Sequence, residues 1–172
     1  MIVSFLLLTG ARRHEAMTAT WDQFDLETRI WTIPVTKAGK PRKVVLSDAA
    51  LALLERVAAE HRRRLGARLE HVFPNFATRK PYRSIFHPWC HARAAAGLAE
   101  VRLHDLRHSF ASALVNHGVP IYEVQALLGH ASIRTTQRYA HLAPERLHQS
   151  VRTVAAYYGP AIVEHNQDAQ TR

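Results

Sequence analysis

The sequence predicts an α+β domain, mainly helical, with a small antiparallel sheet near its N-terminus. Three observations carry this. Apolar positions recur at helical spacing, with cap and stop residues, over most of the chain. One stretch, "WDQFDLETRIWTIPVTKAGKPRKVVLS", instead alternates apolar and polar residues around two turn signals. The 172 residues, 47% hydrophobic and 22% charged, suit one ordinary globular domain with its own core.

The elements follow in order. "MIVSFLLL" reads as a buried helix over residues 2–8, ending at Thr9-Gly10. It has no basic segment before it, and "TGARRHE" stands where a signal peptide would carry its cleavage site. A short second helix runs from Ala11 to Met17. The alternating stretch gives two or three antiparallel strands, with turns near Glu27-Thr28 and from Lys37 to Pro41. Ser47 or Asp48 caps a helix to Leu65, with Leu51, Leu54, Val57 and Ala58 on one face. "HVFPNF" is extended, and residues 83–96 are helical. A helix from Leu103 to Asn116 is stopped by Gly118. Pro120 opens another that ends at Gly129. Ser132 caps a helix carrying Tyr139, two turns in. Pro144 opens a last helix to Tyr158, and residues 161–172 form a tail.

Charge narrows the function. The formal net charge is +9, which favours a polyanionic partner, nucleic acid before an anionic membrane. Nineteen of the 23 basic residues are arginine, whose planar fork suits phosphate oxygens. No apolar run is long enough to span a bilayer. A single cysteine, Cys90, excludes an internal disulfide and fits a reducing compartment.

The motifs are weak one by one. In "HDLRH", His104 and Arg107 lie three apart, on one helix face, where they could hold a phosphate oxygen beside a proton carrier. Yet H-x-x-R is expected roughly once by chance in such a composition, and His61 with Arg64 also matches. His104 and His108 have the i, i+4 spacing of helical zinc ligands, but Arg107 opposes a metal and no third ligand is evident. "HPWCH" has ligand residue types without a partner pair. In "TGARRHE", Glu15 can brace Arg12 on a first helical turn. A plain surface ion pair is the commoner reading, and Arg13 competes with Arg12. A lysine of "TKAGKPRK" can reach into a groove from a hairpin tip or simply stay solvated. "HRRRLGAR" reads as a solvated helix end. Gly129 places His130 on a connecting turn, and Tyr139 alone would more often be half-buried packing.

Order and content together say more. T-G-x-R-x-x-E, a hairpin lysine, H-x-x-R, L-G-H and a tyrosine nine residues later resemble the catalytic domain of the tyrosine recombinases, the phage-integrase family. The resemblance runs from about Leu6 to Tyr158, and "HDLRHSFASALVNHG…IYEVQALLGHASIRTTQRYAH" is its most specific block. It implies the tyrosine-recombinase catalytic fold with a three-stranded sheet, and a domain at 1–160 followed by a tail at 161–172. It implies that Tyr139 attacks a DNA phosphodiester, leaving a 3′-phosphotyrosine and a 5′ hydroxyl. Arg12, Arg107, His104 and His130 would cradle the phosphate, Lys37 would protonate the leaving oxygen, and Glu15 would support them. His104 would handle the tyrosine's proton. Lys40 is the alternative to Lys37, and Lys40, Arg42, Arg134 and Arg138 are further DNA contacts. Ala11 and Arg13 depart from the usual pattern.

Phosphoryl-transfer chemistry agrees with these roles, because fixed cationic donors stabilise charge gathering on the equatorial oxygens, so no metal or other cofactor is called for. Double-stranded DNA is the implied partner, engaged by a homo-oligomer, a tetramer on DNA, in a bacterial or phage-infected cytoplasm at the nucleoid. The "TG-x-R" box begins at residue 9, which leads us to expect a chain lacking the DNA-clamping domain that usually precedes this one. Two other readings stand beside recombination: a type IB topoisomerase-like nicking and closing activity, and a DNA-binding remnant without catalysis.

Overall fold

The computed structural model describes residues 1–34, 41–130, 132–140 and Arg152. Lys37, Lys40, the expected helix at 144–158 (Arg152 apart) and the tail at 161–172 lie outside them.

Helix α1, Ile2–Thr9, runs along the centre of the larger core. Phe5 and Leu6 are buried, and the Phe5 ring meets those of Phe24, Trp31 and Phe73 at 5.2–6.1 Å. Truncating Phe5 to alanine would cost about 3–5 kcal/mol, since the neighbouring rings cannot close the hole. Gly10 ends α1 in the left-handed conformation, φ 59°. A β-carbon there would stand 2.4 Å from the Phe110 ring, so only glycine lets α1 and the helix that carries Phe110 approach. Helix α2 covers Arg13–Met17, and Arg12 is its extended N-cap residue rather than part of its first turn.

A short 3₁₀ turn, Trp21–Gln23, leads into the expected sheet. Strands β1 (Phe24–Asp25), β2 (Ile30–Ile33) and β3 (Arg42–Val45) are antiparallel in the order β1-β2-β3. Trp31 faces Phe24 and Val44, and Ile33 faces Arg42. The alternation places Trp31, Ile33, Arg42 and Val44 inward.

Helix α3, Asp48–Leu65, starts where Ser47 Oγ accepts the Ala50 N–H at 3.3 Å. Its buried face includes Leu53, Leu54, Val57, Ala58 and His61. His61 does not belong to a solvated end. Its Nδ1 accepts the Leu69 N–H at 3.2 Å, so its Nε2–H donates to the Val72 carbonyl at 3.1 Å. A second, two-stranded hairpin, β4 (Pro74–Asn75) with β5 (Lys80–Pro81), goes beyond the single extended piece expected there. Two-residue strands made largely of proline carry no alternation to read.

Helices α4 (Phe86–Ala95), α5 (Asp105–Asn116), α6 (Ile121–Leu128) and α7 (Arg134–Gln137) complete the described fold. A smaller core joins α5 and α6 through Ala111, Val115, Val124 and Leu128, with Tyr139 packed into it. Helix α7 is shorter than expected. Ile133, not Ser132, is its N-cap, and Tyr139 lies just past its end. The Tyr139 N–H donates to the Thr136 carbonyl at 3.0 Å, a 3₁₀-type bond that tightens the exit.

Candidate active site

The α6 C-terminus is the centre of the site. Its last carbonyls have no partners within the helix and carry the negative end of its dipole. Three arginines from three distant segments take three consecutive ones. Arg42 Nη1 donates to the Leu127 carbonyl at 3.0 Å, Arg107 Nη2 to Leu128 at 2.7 Å, and Arg12 Nη2 to Gly129 at 3.3 Å.

Each arginine has a second anchor. Arg107, buried near the start of α5, donates from Nη1 to the Gly10 carbonyl at 2.6 Å, which ties the end of α1 to the site. Burial, and then Arg12 and Arg42 close by, push its pKa down to about 10, so it stays charged at neutral pH. Arg12 and Arg42 share Glu15. That buried carboxylate accepts the Arg12 backbone N–H at 2.7 Å, half of a capping box, and Arg12 Nη1 at 2.8 Å. Arg42 Nη2 donates at 3.4 Å to Oε2, the oxygen that also accepts the Arg12 backbone N–H. Three guanidiniums gather here and one carboxylate, bonded to two of them, is the counter-charge, so the surplus positive charge invites an anion.

Three histidines line the same region. His130 follows Gly129 on the turn, and its Nδ1 lies 2.7 Å from the Thr136 hydroxyl. Burial, then Arg107, Arg12, Arg138 and Arg42, lower its pKa to about 4. His104 is the exposed N-cap residue of α5, and its ring stands edge-on to His108 with centroids 4.8 Å apart. Burial followed by the neighbouring cations lowers both of their pKa values. All three imidazoles are thus biased towards the neutral form.

Tyr139 combines two environments. Its ring is buried in the α5–α6 core, while its hydroxyl is hydrogen-bonded to His108 Nδ1. Burial raises its pKa, against the opposing pull of Arg138 and Arg107, so the free protein holds a protonated phenol.

The structure thus brings together Arg12, Glu15, Arg107, His104, His130 and Tyr139. Arg13 is exposed beside the cluster. Arg134 and Arg138 are exposed on and just after α7. Arg42 is a correction: expected as a DNA contact, it is buried beneath the site, on the inward parity of β3. Sequence reasoning missed His108 and Thr136 as partners of Tyr139 and His130. For His108 the i, i+4 step from His104 was visible, but it was read only as metal-ligand spacing. No group of three metal-ligating side chains is formed among the described residues, and no helix among them is long and apolar enough to cross a membrane.

A sequence model of the phage integrase family matches residues 1–146. The integrase of Salmonella phage P22 is 33% identical over 168 residues, covering 94% of this chain and 43% of that protein. The tyrosine recombinase XerD of Yersinia pestis is 36% identical over 153 residues, covering 86% of this chain and 51% of that one. Among solved structures, the XerH site-specific recombinase bound to its difH substrate, a pre-cleavage complex, superposes with a TM-score of 0.68 at 27% identity, over 87% of this chain and 44% of that one. The chain spans about half the length of the curated relatives it matches. It belongs to the phage integrase family.

Proposed function

We propose that the chain is the catalytic portion of a DNA strand-exchange enzyme that breaks and rejoins duplex DNA through a 3′-phosphotyrosyl bond. The observation that carries this is the convergence of Arg12 and Arg107 on the α6 C-terminus with His130 beside them and Tyr139 within one helix turn of α7. The related XerH site-specific recombinase was solved bound to its difH substrate, which favours a recombination-site partner here.

Tyr139 Oη attacks phosphorus and displaces the 5′ oxygen of the next nucleotide. The phosphodiester bond to that oxygen breaks, and one phosphotyrosyl ester forms in its place. Because one ester replaces another, bond energy is kept and the strand can rejoin without a nucleotide cofactor. Arg12 and Arg107 bind the non-bridging oxygens with the N–H groups not committed to backbone carbonyls, and fixed charge there stabilises the transition state. His130 and His104 complete the cradle. His108, bonded to the Tyr139 hydroxyl, receives its proton; this replaces the assignment of that role to His104. Lys37 donates a proton to the leaving 5′ oxygen. Glu15 holds Arg12 in place. In this scheme residues 1–160 form one catalytic domain followed by a tail, and the whole enzyme works as a tetramer on DNA at the bacterial or phage nucleoid.

Strand transfer tests the reading. Given two duplexes bearing a recognised site, the enzyme that contains this chain should yield recombinant strands, and EDTA should not diminish cleavage. Relaxation of supercoils without transfer between duplexes would favour a topoisomerase-like activity. DNA binding with neither product would favour a non-catalytic remnant. Cleavage lost in EDTA and restored by zinc would revive a metal at "HDLRH".

A further inference from the structure

We propose that Arg42 is a positioning residue of this site, an internal guanidinium that fixes the Leu127–His130 turn and the Arg12–Glu15 pair relative to one another. The inference rests on the strand-exchange reading for its kinetic consequence, though not for its geometry.

Burying an arginine is costly, and an apolar side chain of similar volume in its place is often neutral or stabilising. Arg42 is 9% exposed, and its Nε is buried with no hydrogen-bond partner among the described residues. Packing alone does not account for it. Its contacts do: one Nη holds Leu127, one residue before the carbonyl that Arg107 takes, and the other holds the carboxylate that orients Arg12. Its described side-chain contacts all lie inside the protein, and its side chain is 9% exposed against 44% for Arg12, so it is placed to position.

The turn is shaped around it. Gly129 has φ 63°, and a β-carbon there would stand 2.2 Å from Arg42 Cδ and 2.9 Å from its Nη1. The glycine is therefore needed twice, for its backbone and for the passage of Arg42 beneath the residue before His130. Arg42 also opens β3, five residues after Lys37, so a single side chain links the strand that follows the lysine segment to the arginine and histidine segments. Displacing such an element by about 1 Å can cost on the order of 10²-fold in rate without loss of binding.

The test uses Arg42→Lys, which keeps the charge but cannot span Leu127 and Glu15 together, with Arg42→Gln as the second variant should the first not fold. Thermal unfolding first establishes which variant is folded. In single-turnover formation of the covalent DNA adduct, the variant should be slower by roughly 10- to 100-fold while its DNA affinity stays within about threefold. In an Arg12→Ala background the same change should cost less than it does alone, because part of its effect passes through Arg12. An unchanged rate, or a loss that simply adds to that of Arg12→Ala, overturns the proposal. A readout independent of cleavage is the titration of His130 followed by NMR in the 172-residue chain. Lysine preserves the charge, so a rise of the His130 midpoint towards that of an ordinary histidine reports a released turn, and an unchanged midpoint overturns the proposal. If the parent protein forms no adduct, the strand-exchange reading falls, and the His130 titration still decides the role of Arg42.

Discussion

At the scale of single residues, the site is a set of imidazoles whose pKa values are lowered by burial and by permanent cations, and this has consequences that can be measured. His130 has its pKa lowered to about 4, against about 6.5 in an unfolded chain. Between those values the unfolded state binds the extra proton. Stability is therefore fully present above about pH 6.5 and is lost as pH falls towards 4. His104, His108 and His61 are shifted in the same direction and add to the slope. Melting temperature measured from pH 7.5 to 4.5 should fall on the acid side, and His130→Gln should flatten that fall; a His130→Gln profile as steep as the parent's would contradict the assignment. His108→Ala should slow adduct formation by roughly 10²- to 10⁴-fold, as expected for a lost proton acceptor. If His104→Ala does so and His108→Ala does not, the proton goes to His104. At this scale the motifs name Arg107, His130 and Tyr139, and the fold places these residues near one another. Arg42 was misjudged because its charge suggested the surface, although the parity of β3 with Val44 pointed inward. His108 and Thr136 were missed because their partners come from other elements, and local spacing does not reveal them.

At the scale of elements, the turn from α6 to α7 and strand β3 decide how the site is assembled. Gly129→Ala should destabilise the protein by about 1–2 kcal/mol from the left-handed backbone alone, and by more through the collision with Arg42. Chemical denaturation would measure the loss, and a stability equal to the parent's would mean that the turn does not need its glycine. The lysine segment is tested by leaving-group chemistry. Lys37→Ala should slow cleavage of ordinary DNA by roughly 10²- to 10⁴-fold, and a 5′-bridging phosphorothiolate, whose sulfur departs without a proton, should restore it. Rescue seen with Lys40→Ala instead would transfer the role to Lys40. Helices with clear stop signals were legible: Gly10 and Gly129 each end a helix in the left-handed conformation. Helix α7 was drawn too long because Ser132 offers a cap signal that the fold does not use. Thr136, whose hydroxyl meets His130, sits where the chain tightens into the 3₁₀ exit. The β4–β5 hairpin was invisible because its pairing is set by position and not by pattern.

At the scale of the whole molecule, a net charge of +9 on 172 residues predicts binding governed by phosphate contacts. Arg134 and Arg138, exposed on and beside α7, should each contribute about one unit to the slope of log affinity against log salt, equally on specific and random duplexes. A salt titration of Arg134→Ala and Arg138→Ala that leaves the slope unchanged would remove them from the interface. The fold class was legible at this scale, since helical periodicity, one alternating stretch and the order of the motifs agree on it. The convergence of three arginines on the end of one helix was not, because residues 12, 42 and 107 meet only through tertiary packing. The central claim is that this packing exists to let Tyr139 join covalently to DNA. The most direct measurement is a denaturing gel of the protein with a nicked suicide substrate, followed by mass spectrometry of the DNA-linked peptide. The account predicts a 3′-linked adduct whose modified peptide contains Tyr139, absent in Tyr139→Phe although that variant still binds DNA. An adduct that persists in Tyr139→Phe, or that maps to another residue, would contradict it.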